Sequence, residues 1–134
     1  MDLKADVWEQ VMEFATLLAN EDRPKKYWMH YNALKDYCEA ESLAGYDHPF
    51  LWESLADFTK DDNASIPLYR RALSLAFGDD ARPYRVSIRF ALAERYRNKG
   101  EEALAREYAM AADAEVDQID DVELKREIGQ FLCS

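Results

Sequence analysis

Apolar side chains recur every three or four residues along almost the whole chain, beginning with Val7, Val11, Phe14 and Leu18. The same spacing continues in later segments, at Tyr27, Tyr31, Leu34 and Cys38, at Leu51, Leu55 and Phe58, at Ile66, Tyr69, Leu73 and Ala76, at Ile88, Leu92 and Tyr96, at Leu104, Tyr108 and Ala111, and at Leu124, Ile128 and Phe131. Residues at this spacing share one face of an α-helix, and the alternation of a half-buried strand is absent. The pattern predicts an all-α protein that is helical over at least about 65% of its length, with no sheet.

Prolines, glycines and acidic residues divide this pattern into about seven helices. Four prolines closely follow an aspartate or asparagine, which is typical of helix starts, because proline is tolerated in the first turn and the preceding side chain can cap free N–H groups. They are Pro24, Pro49, Pro67 and Pro83. Helices are expected to end near Gly45, Gly78 and Gly100. The predicted helices are 3–19, 23–43, 48–60, 64–77, 81–98, 101–116 and 121–132.

The links between these helices are a few residues long, which predicts antiparallel helical hairpins. At 134 residues the chain fits one domain, and no glycine- or serine-rich stretch indicates a linker. We therefore expect a single helical domain over residues 1–134, with segment 121–132 as a C-terminal capping helix. In the fifth and sixth helices the pattern predicts that Leu92, Tyr96, Leu104 and Tyr108 are buried.

Two of the predicted hairpins carry related sequences. A shift of 37 residues places Leu55 on Leu92, Ala56 on Ala93, Ile66 on Ala103 and Ala72 on Ala109. A match at such a period is typical of helical-repeat proteins, in which each hairpin buries its apolar face against its neighbour.

The stretch 91–103 then resembles one particular family, the tetratricopeptide repeat. Its leucine, small residue, tyrosine, turn glycine and second-helix alanine are similar to Leu92, Ala93, Tyr96, Gly100 and Ala103. Segment 70–75 is similar to the end of a repeat, and the resemblance covers about residues 46–116. It implies antiparallel hairpins stacked in a right-handed array, a form whose extended surfaces bind other proteins.

The net charge of the chain indicates which class of partner to expect. The chain has 27 acidic and 17 basic residues and a net charge of −10. This balance argues against nucleic acid or an anionic membrane as the partner, because neutralising phosphates requires clustered lysines and arginines. A basic protein suits the charge better. The distribution is uneven, since residues 68–100 contain 8 basic and 3 acidic residues between two acidic segments.

Membrane spans and secretion signals are not expected. No segment approaches about 18 consecutive apolar residues, and the first residues carry charges where a signal peptide would need an apolar run. The sequence therefore predicts a cytoplasmic protein without membrane contact.

Catalytic and cofactor chemistry has few candidates. Cys38 and Cys133 lie far apart and have neither metal-site nor redox-motif spacing. The two histidines, His30 and His48, lack the arrangement of a zinc site. Phosphate-binding loops, HExxH pairs and nucleophile elbows are absent, and the Asp-Asp pairs stand at helix starts, where carboxylates cap free N–H groups. We therefore expect no enzyme activity, no catalytic residues, no cofactor and no metal.

Three arginines of the fifth predicted helix fall three and four residues apart and align on one face: Arg82, Arg85 and Arg89. A solvated helix face explains such a stripe. The functional alternative is a carboxylate-binding surface, because guanidinium groups grip carboxylates at two points.

The third predicted helix offers an aromatic and two acidic candidates. Trp52 lies beside the apolar stripe of this helix, so we expect it at the margin of the core, where its ring could anchor a partner. Core packing is the alternative, because aromatic residues also dominate protein interiors. Glu53 and Asp57, four residues apart, would form an acidic patch whose like charges disfavour the helix by a few tenths of a kcal/mol.

Together these features predict a non-catalytic protein–protein binding module that contacts its partner through Trp52, Glu53, Asp57, Arg82, Arg85 and Arg89. An acidic chain of this size suits a bacterial immunity protein that binds and neutralises a basic toxin domain. One alternative is a chaperone or adaptor that holds an extended peptide in a groove between hairpins. Another is an enzyme or small-molecule receptor with a pocket between helices. The oligomeric state is left open.

Overall fold

The computed structural model describes residues 2–134, and within this range the chain forms seven α-helices and no strand. The helices are α1 (Ala5–Ala19), α2 (Pro24–Leu43), α3 (Pro49–Asp57), α4 (Asp62–Leu75), α5 (Arg82–Asn98), α6 (Glu102–Val116) and α7 (Val122–Cys133). One turn of 3-10 helix, Asp79–Ala81, precedes α5. The structure is 79% helix, which confirms the predicted all-α class. None of the helices within residues 2–134 has the length and apolar character needed to cross a membrane.

The observed helix ends lie within three residues of the predicted ones. Prolines occupy the first turns of α2, α3 and α5, and the three predicted turn glycines adopt positive φ angles of 95°, 86° and 78°. The start of α4 needs a correction. It begins two residues early, because the Asp61 carboxylate accepts a hydrogen bond from the backbone N–H of Ala64 at 3.0 Å, and Pro67 consequently lies inside the helix.

Consecutive helices pack against one another, and α5 and α6 make the most extensive contact. Small side chains line this contact: Ala93 on α5 and Ala105, Ala109 and Ala112 on α6 are fully buried. Because alanine projects little from the helix, the two backbones can approach closely. Larger side chains fill the core of α1 to α5, where Leu34, Leu51, Trp52, Leu55, Ile88 and Leu92 are almost inaccessible to solvent.

The predicted core of the fifth and sixth helices is confirmed in α5 and shifted in α6. Leu92 and Tyr96 are buried, and Tyr108 is half-buried. The prediction for Leu104 is wrong, because 38% of this residue is exposed. The buried face of α6 begins one residue later, at Ala105, since the close approach of α5 leaves room for alanine and none for leucine.

Candidate functional site

The three predicted arginines of α5 converge on one carboxylate of α6, that of Glu115. Arg85 donates two hydrogen bonds to this carboxylate, from Nη2 to Oε1 at 2.6 Å and from Nε to Oε2 at 2.8 Å. Arg89 donates from Nη1 to Oε2 at 2.8 Å, and Arg82 donates from Nε to Oε1 at 3.3 Å. The hydrogen bonds from Arg85 are the main reason why the pKa of Glu115 falls to about 2. The stripe thus binds a carboxylate, but one that belongs to the same chain.

Arg85 also connects the end of α4 to this cluster. Its Nη1 donates to the backbone carbonyl oxygens of Ala76 at 3.0 Å and Gly78 at 2.9 Å. Arg82 contacts Asp79 through Nη2 at 2.9 Å. The cluster therefore fastens α4, α5 and α6 to one another, and most donors of Arg85 are engaged within the molecule. Contact of these arginines with a partner stays a prediction.

Trp52, expected at the margin of the core, lies inside it and is only 2% exposed. Its indole N–H donates to Oδ1 of Asp47 at 2.6 Å. The guanidinium of Arg71 covers the ring at 3.6 Å from its centroid, an arrangement that satisfies both the ring face and the cation. In this conformation the ring cannot serve as an exposed anchor.

The two acids of α3 do not form a shared exposed patch. Glu53 is buried and accepts a hydrogen bond from the Ser87 hydroxyl of α5 at 2.6 Å. Burial raises its pKa to about 8. Asp57 is exposed, although one of its oxygens accepts a hydrogen bond at 2.6 Å from the hydroxyl of Tyr69. Both acids thus contribute to packing between α3 and its neighbours, and their contact with a partner is also untested.

Sequence reasoning overlooked a second apolar stripe on α1. Val7, Val11 and Leu18 face the core. On another flank of the same helix, at the same three- and four-residue spacing, lie Ala5, Trp8, Met12, Ala15 and Ala19, which we call the α1 outer stripe. Trp8 is 47% exposed and Met12 39% exposed. The signal was present as a helical periodicity displaced by one residue from the core pattern.

The surroundings of the α1 outer stripe are acidic. Helix α1 contains Asp6, Glu9 and Glu13 and no lysine, arginine or histidine. All three acids are exposed. The side chains of Trp8, Glu9, Met12 and Glu13 line a shallow depression. An apolar surface of this kind, bordered by charges of one sign, is typical of a protein-binding site.

A second exposed tryptophan has different surroundings. Trp28 on α2 is 54% exposed, and its ring meets that of Tyr31 edge-on with centroids 5.4 Å apart. The nearest charged residues along its helix face are Lys25 and Lys35. Trp28 is therefore a natural comparison for Trp8, with similar exposure and the opposite local charge.

A cleft of about 320 Å³ lies between the start of α3 and the turn before α5. His48 and Tyr84 line it, with their rings edge-on at 5.2 Å, and Asp79 and Asp80 stand at its rim. His48 is buried, and its Nδ1 accepts a hydrogen bond from the backbone N–H of Phe50 at 3.0 Å. His30 has other neighbours, with Nε2 3.9 Å from a Glu21 oxygen. Across residues 2–134 no cluster of three or more His, Cys, Asp or Glu side chains is arranged to hold a metal.

The geometry of the chain therefore offers three features for functional interpretation: the arginine cluster on Glu115, the cleft beside His48 and the acidic α1 outer stripe. Comparisons with protein-family models, with characterised proteins and with solved structures find no match to the chain.

Proposed function

We propose that the protein is a non-catalytic binding module that holds another protein in a stoichiometric complex. The observation that supports this most directly is the α1 outer stripe, with Trp8 and Met12 exposed beside an acidic surface. Tryptophan and methionine are enriched at the centres of protein interfaces. Exposing them costs favourable burial energy, and a partner that covers them recovers it.

The form of this function that we propose is inhibition of a basic toxin domain, as performed by bacterial immunity proteins. The net charge of −10 and the purely acidic character of α1 support a basic partner, because complementary charge accelerates encounter and disfavours acidic competitors. The alternative is an adaptor or chaperone that holds an extended peptide. Binding of short unstructured peptides would favour the adaptor, whereas binding of a folded domain alone favours the inhibitor.

The arrangement of the hairpins is part of the proposal: a right-handed array similar to tetratricopeptide repeats over about residues 46–116. Successive packing of α3, α4, α5 and α6 supports it. Three position pairs related by the 37-residue shift are buried in both hairpins: Leu55 and Leu92, Ala56 and Ala93, Ala72 and Ala109. One pair departs, since Ile66 is buried and Ala103 exposed. A crystal structure with a left-handed relation between the two hairpins would contradict the arrangement.

The test of the function is isolation of the complex. The tagged chain is purified from the cells that encode it, and proteins present in one-to-one amounts are identified by mass spectrometry and sized by sedimentation. We expect a basic protein whose activity is lost in the complex. The double variant Trp8→Ala, Met12→Ala should lose this protein, and Trp28→Ala should retain it.

Two results would argue against the proposal. Absence of any one-to-one partner contradicts stoichiometric binding. If the double variant retains the same partner while circular dichroism shows unchanged helicity, the partner binds elsewhere than the α1 outer stripe. The stripe would then no longer support the proposal.

The alternative of another class, an enzyme or small-molecule receptor, would use the cleft beside His48 and Tyr84. Its volume of about 320 Å³ lies at the lower end of the range of ligand pockets, about 300–1,000 Å³. Chemical-shift changes confined to this cleft during a small-molecule screen, with Tyr84→Ala abolishing them, would favour this alternative over protein binding.

A further inference from the structure

The α1 outer stripe also indicates what kind of partner surface it fits. We propose that its occupant is a basic amphipathic helix of the partner protein, which lies along α1 and continues the helical packing. This inference rests on the proposed function, since it specifies the partner surface of the same site.

The shape of the stripe matches a helix. It runs the length of α1, 15 residues from Ala5 to Ala19, which is about 22 Å at 1.5 Å per residue. Its two large side chains, Trp8 and Met12, stand among alanines, so the surface alternates projections and gaps along the helix axis. Helices pack by inserting the side-chain ridges of one into the grooves of the other. Methionine adapts its conformation to irregular partners, which assists such a contact.

The position of α1 leaves room for another helix. Its main packing neighbours are α2 and α3, both on the side of Val7 and Val11. Trp8 and Met12 follow Val7 and Val11 by one residue, so they lie about a quarter of a turn around α1 from the core-facing row, where 47% of Trp8 and 39% of Met12 remains exposed.

The acidic side chains of α1 favour a basic occupant. Asp6, Glu9 and Glu13 form no ion pair with any residue in the range 2–134. Gln10 Nε2 donates a hydrogen bond of 3.4 Å to Glu13. Glu9 and Glu13, four residues apart, repel each other on the helix, and a neighbouring row of lysines or arginines would remove that repulsion.

The same charges disfavour a second copy of the chain as the occupant. Two α1 helices packed through this stripe would bring together Glu9 and Glu13 of each copy, four acids in total, without a basic residue from either helix. Like charges at close range oppose such a contact, whereas a basic helix gains from each of them.

Synthetic helical peptides provide the test. Four fluorescein-labelled peptides of about 18 residues share lysines at fixed positions and differ in their apolar stripes, built from Leu, Ile, Phe or Met. Two controls accompany each peptide: one with glutamates replacing the lysines, and one with the same composition in a non-amphipathic order. Binding to the full chain is followed by fluorescence anisotropy at low salt.

We expect at least one basic amphipathic peptide to bind and both of its controls to fail. Trp8→Ala, Met12→Ala should weaken binding by about tenfold or more, because interface aromatic anchors carry much of the affinity. Glu9→Gln, Glu13→Gln should weaken it several-fold at low salt and less at high salt. Trp28→Ala should leave it within about twofold, as should Asp113→Asn, Asp120→Asn, which removes the same charge at the far end of the chain.

Three outcomes would overturn the inference. They are failure of all four basic peptides, equal binding of the non-amphipathic control, and a dimer of the chain alone that Trp8→Ala dissociates in sedimentation. Failure here is distinguishable from failure of the proposed function. If the co-purifying protein still depends on Trp8 and Met12 while no helical peptide binds, the chain is a binding module whose partner presents a different surface.

Discussion

Helix α1 and the α5–α6 pair use their charged side chains in opposite ways. In α5–α6, three arginines surround one glutamate, and Arg85 alone makes two hydrogen bonds to Glu115 of 2.6 and 2.8 Å. In α1, three exposed acids have no cationic partner among residues 2–134, and a tryptophan beside them is 47% exposed. The arginine cluster of α5 and α6 satisfies its charges internally, whereas within that range α1 leaves its acids without a cationic partner, beside exposed apolar side chains. This unpaired surface is the reason why we place the proposed binding site on α1.

This contrast explains why the predicted contact residues occupy structural positions. Spacing along one helix shows that Arg82, Arg85 and Arg89 share a face, but it does not show what lies opposite that face. The opposing carboxylate, Glu115, is 30 residues away from Arg85 in sequence. A carboxylate this distant in sequence pairs with the arginine stripe, and the local spacing of the arginines gives no indication of that pairing.

The largest effect is expected at Trp52 of α3, which lies in the same core cluster as Ile88 and Leu92 of α5. Trp52→Ala should lower the free energy of unfolding by about 3–5 kcal/mol, because it empties a fully packed site. The change also removes the indole hydrogen bond to Asp47. Urea denaturation followed by circular dichroism measures this effect, with Trp28→Ala as the control for loss of an exposed ring. A loss below about 1 kcal/mol for Trp52→Ala would place this residue at the surface and restore it as a candidate anchor.

Glu53 of α3, which accepts a hydrogen bond from Ser87 of α5, offers a test through the pH dependence of stability. Burial raises its folded-state pKa from 4.5 to about 8, so ionisation disfavours the folded state. Its cost is absent below about pH 4.5, grows as the pH rises and is complete above about pH 8. Glu53→Gln should therefore stabilise the protein at pH 9 by about 2 kcal/mol relative to the wild type, and by little at pH 4. This figure is below the full shift because the carboxylate can relax toward water.

The measurement is a series of urea denaturation curves from pH 4 to 9, with the exposed Glu39→Gln as the matched control. A constant difference between Glu53→Gln and the wild type across this range would show that Glu53 has an ordinary pKa and is reached by solvent.

The arginine cluster should give an intermediate effect with the opposite pH dependence. Glu115→Gln should cost about 1–2 kcal/mol at pH 7, because it removes charge-assisted hydrogen bonds and leaves Arg82, Arg85 and Arg89 repelling one another. The folded-state pKa of Glu115 is lowered to about 2, so its contribution is present above about pH 4.5 and is lost as the pH falls toward 2. The wild type and the variant should thus converge between pH 4.5 and 2.

Glu107→Gln on the exposed face of α6 is the control for this prediction and should change stability by less than about 0.5 kcal/mol. Equal effects of the two substitutions would mean that the cluster adds nothing beyond the general charge of the helix.

The sequence was sufficient to predict the positions of the helices, but it did not predict which residues form the candidate site. Periodic apolar residues, prolines and glycines located all seven helices, because these signals act within a few residues of the chain. The register of α6 was wrong at Leu104, since close packing on α5 selects alanines and the pattern was assigned from the larger residues. The interior position of Trp52 depends on Arg71 and the opposing helices, which local spacing does not contain.

The smallest expected effect decides whether the α1 outer stripe is free for a partner. Trp8→Ala, Met12→Ala should change the free energy of unfolding by less than about 1 kcal/mol, because both side chains lie about a quarter of a turn away from the core-facing row of α1, and 47% of Trp8 and 39% of Met12 is already exposed to water. The α-helix should tolerate the change well, since alanine has the highest helix propensity. Val7→Ala, Val11→Ala provides the matched control, with two buried residues of the same helix, and should cost more than the outer pair. Urea denaturation of both double variants measures the difference. If the outer pair cost as much as the inner pair, Trp8 and Met12 would belong to the fold itself, the contrast between α1 and α5–α6 would disappear, and the loss of a partner in the Trp8, Met12 variant would report unfolding of α1 in place of a broken interface.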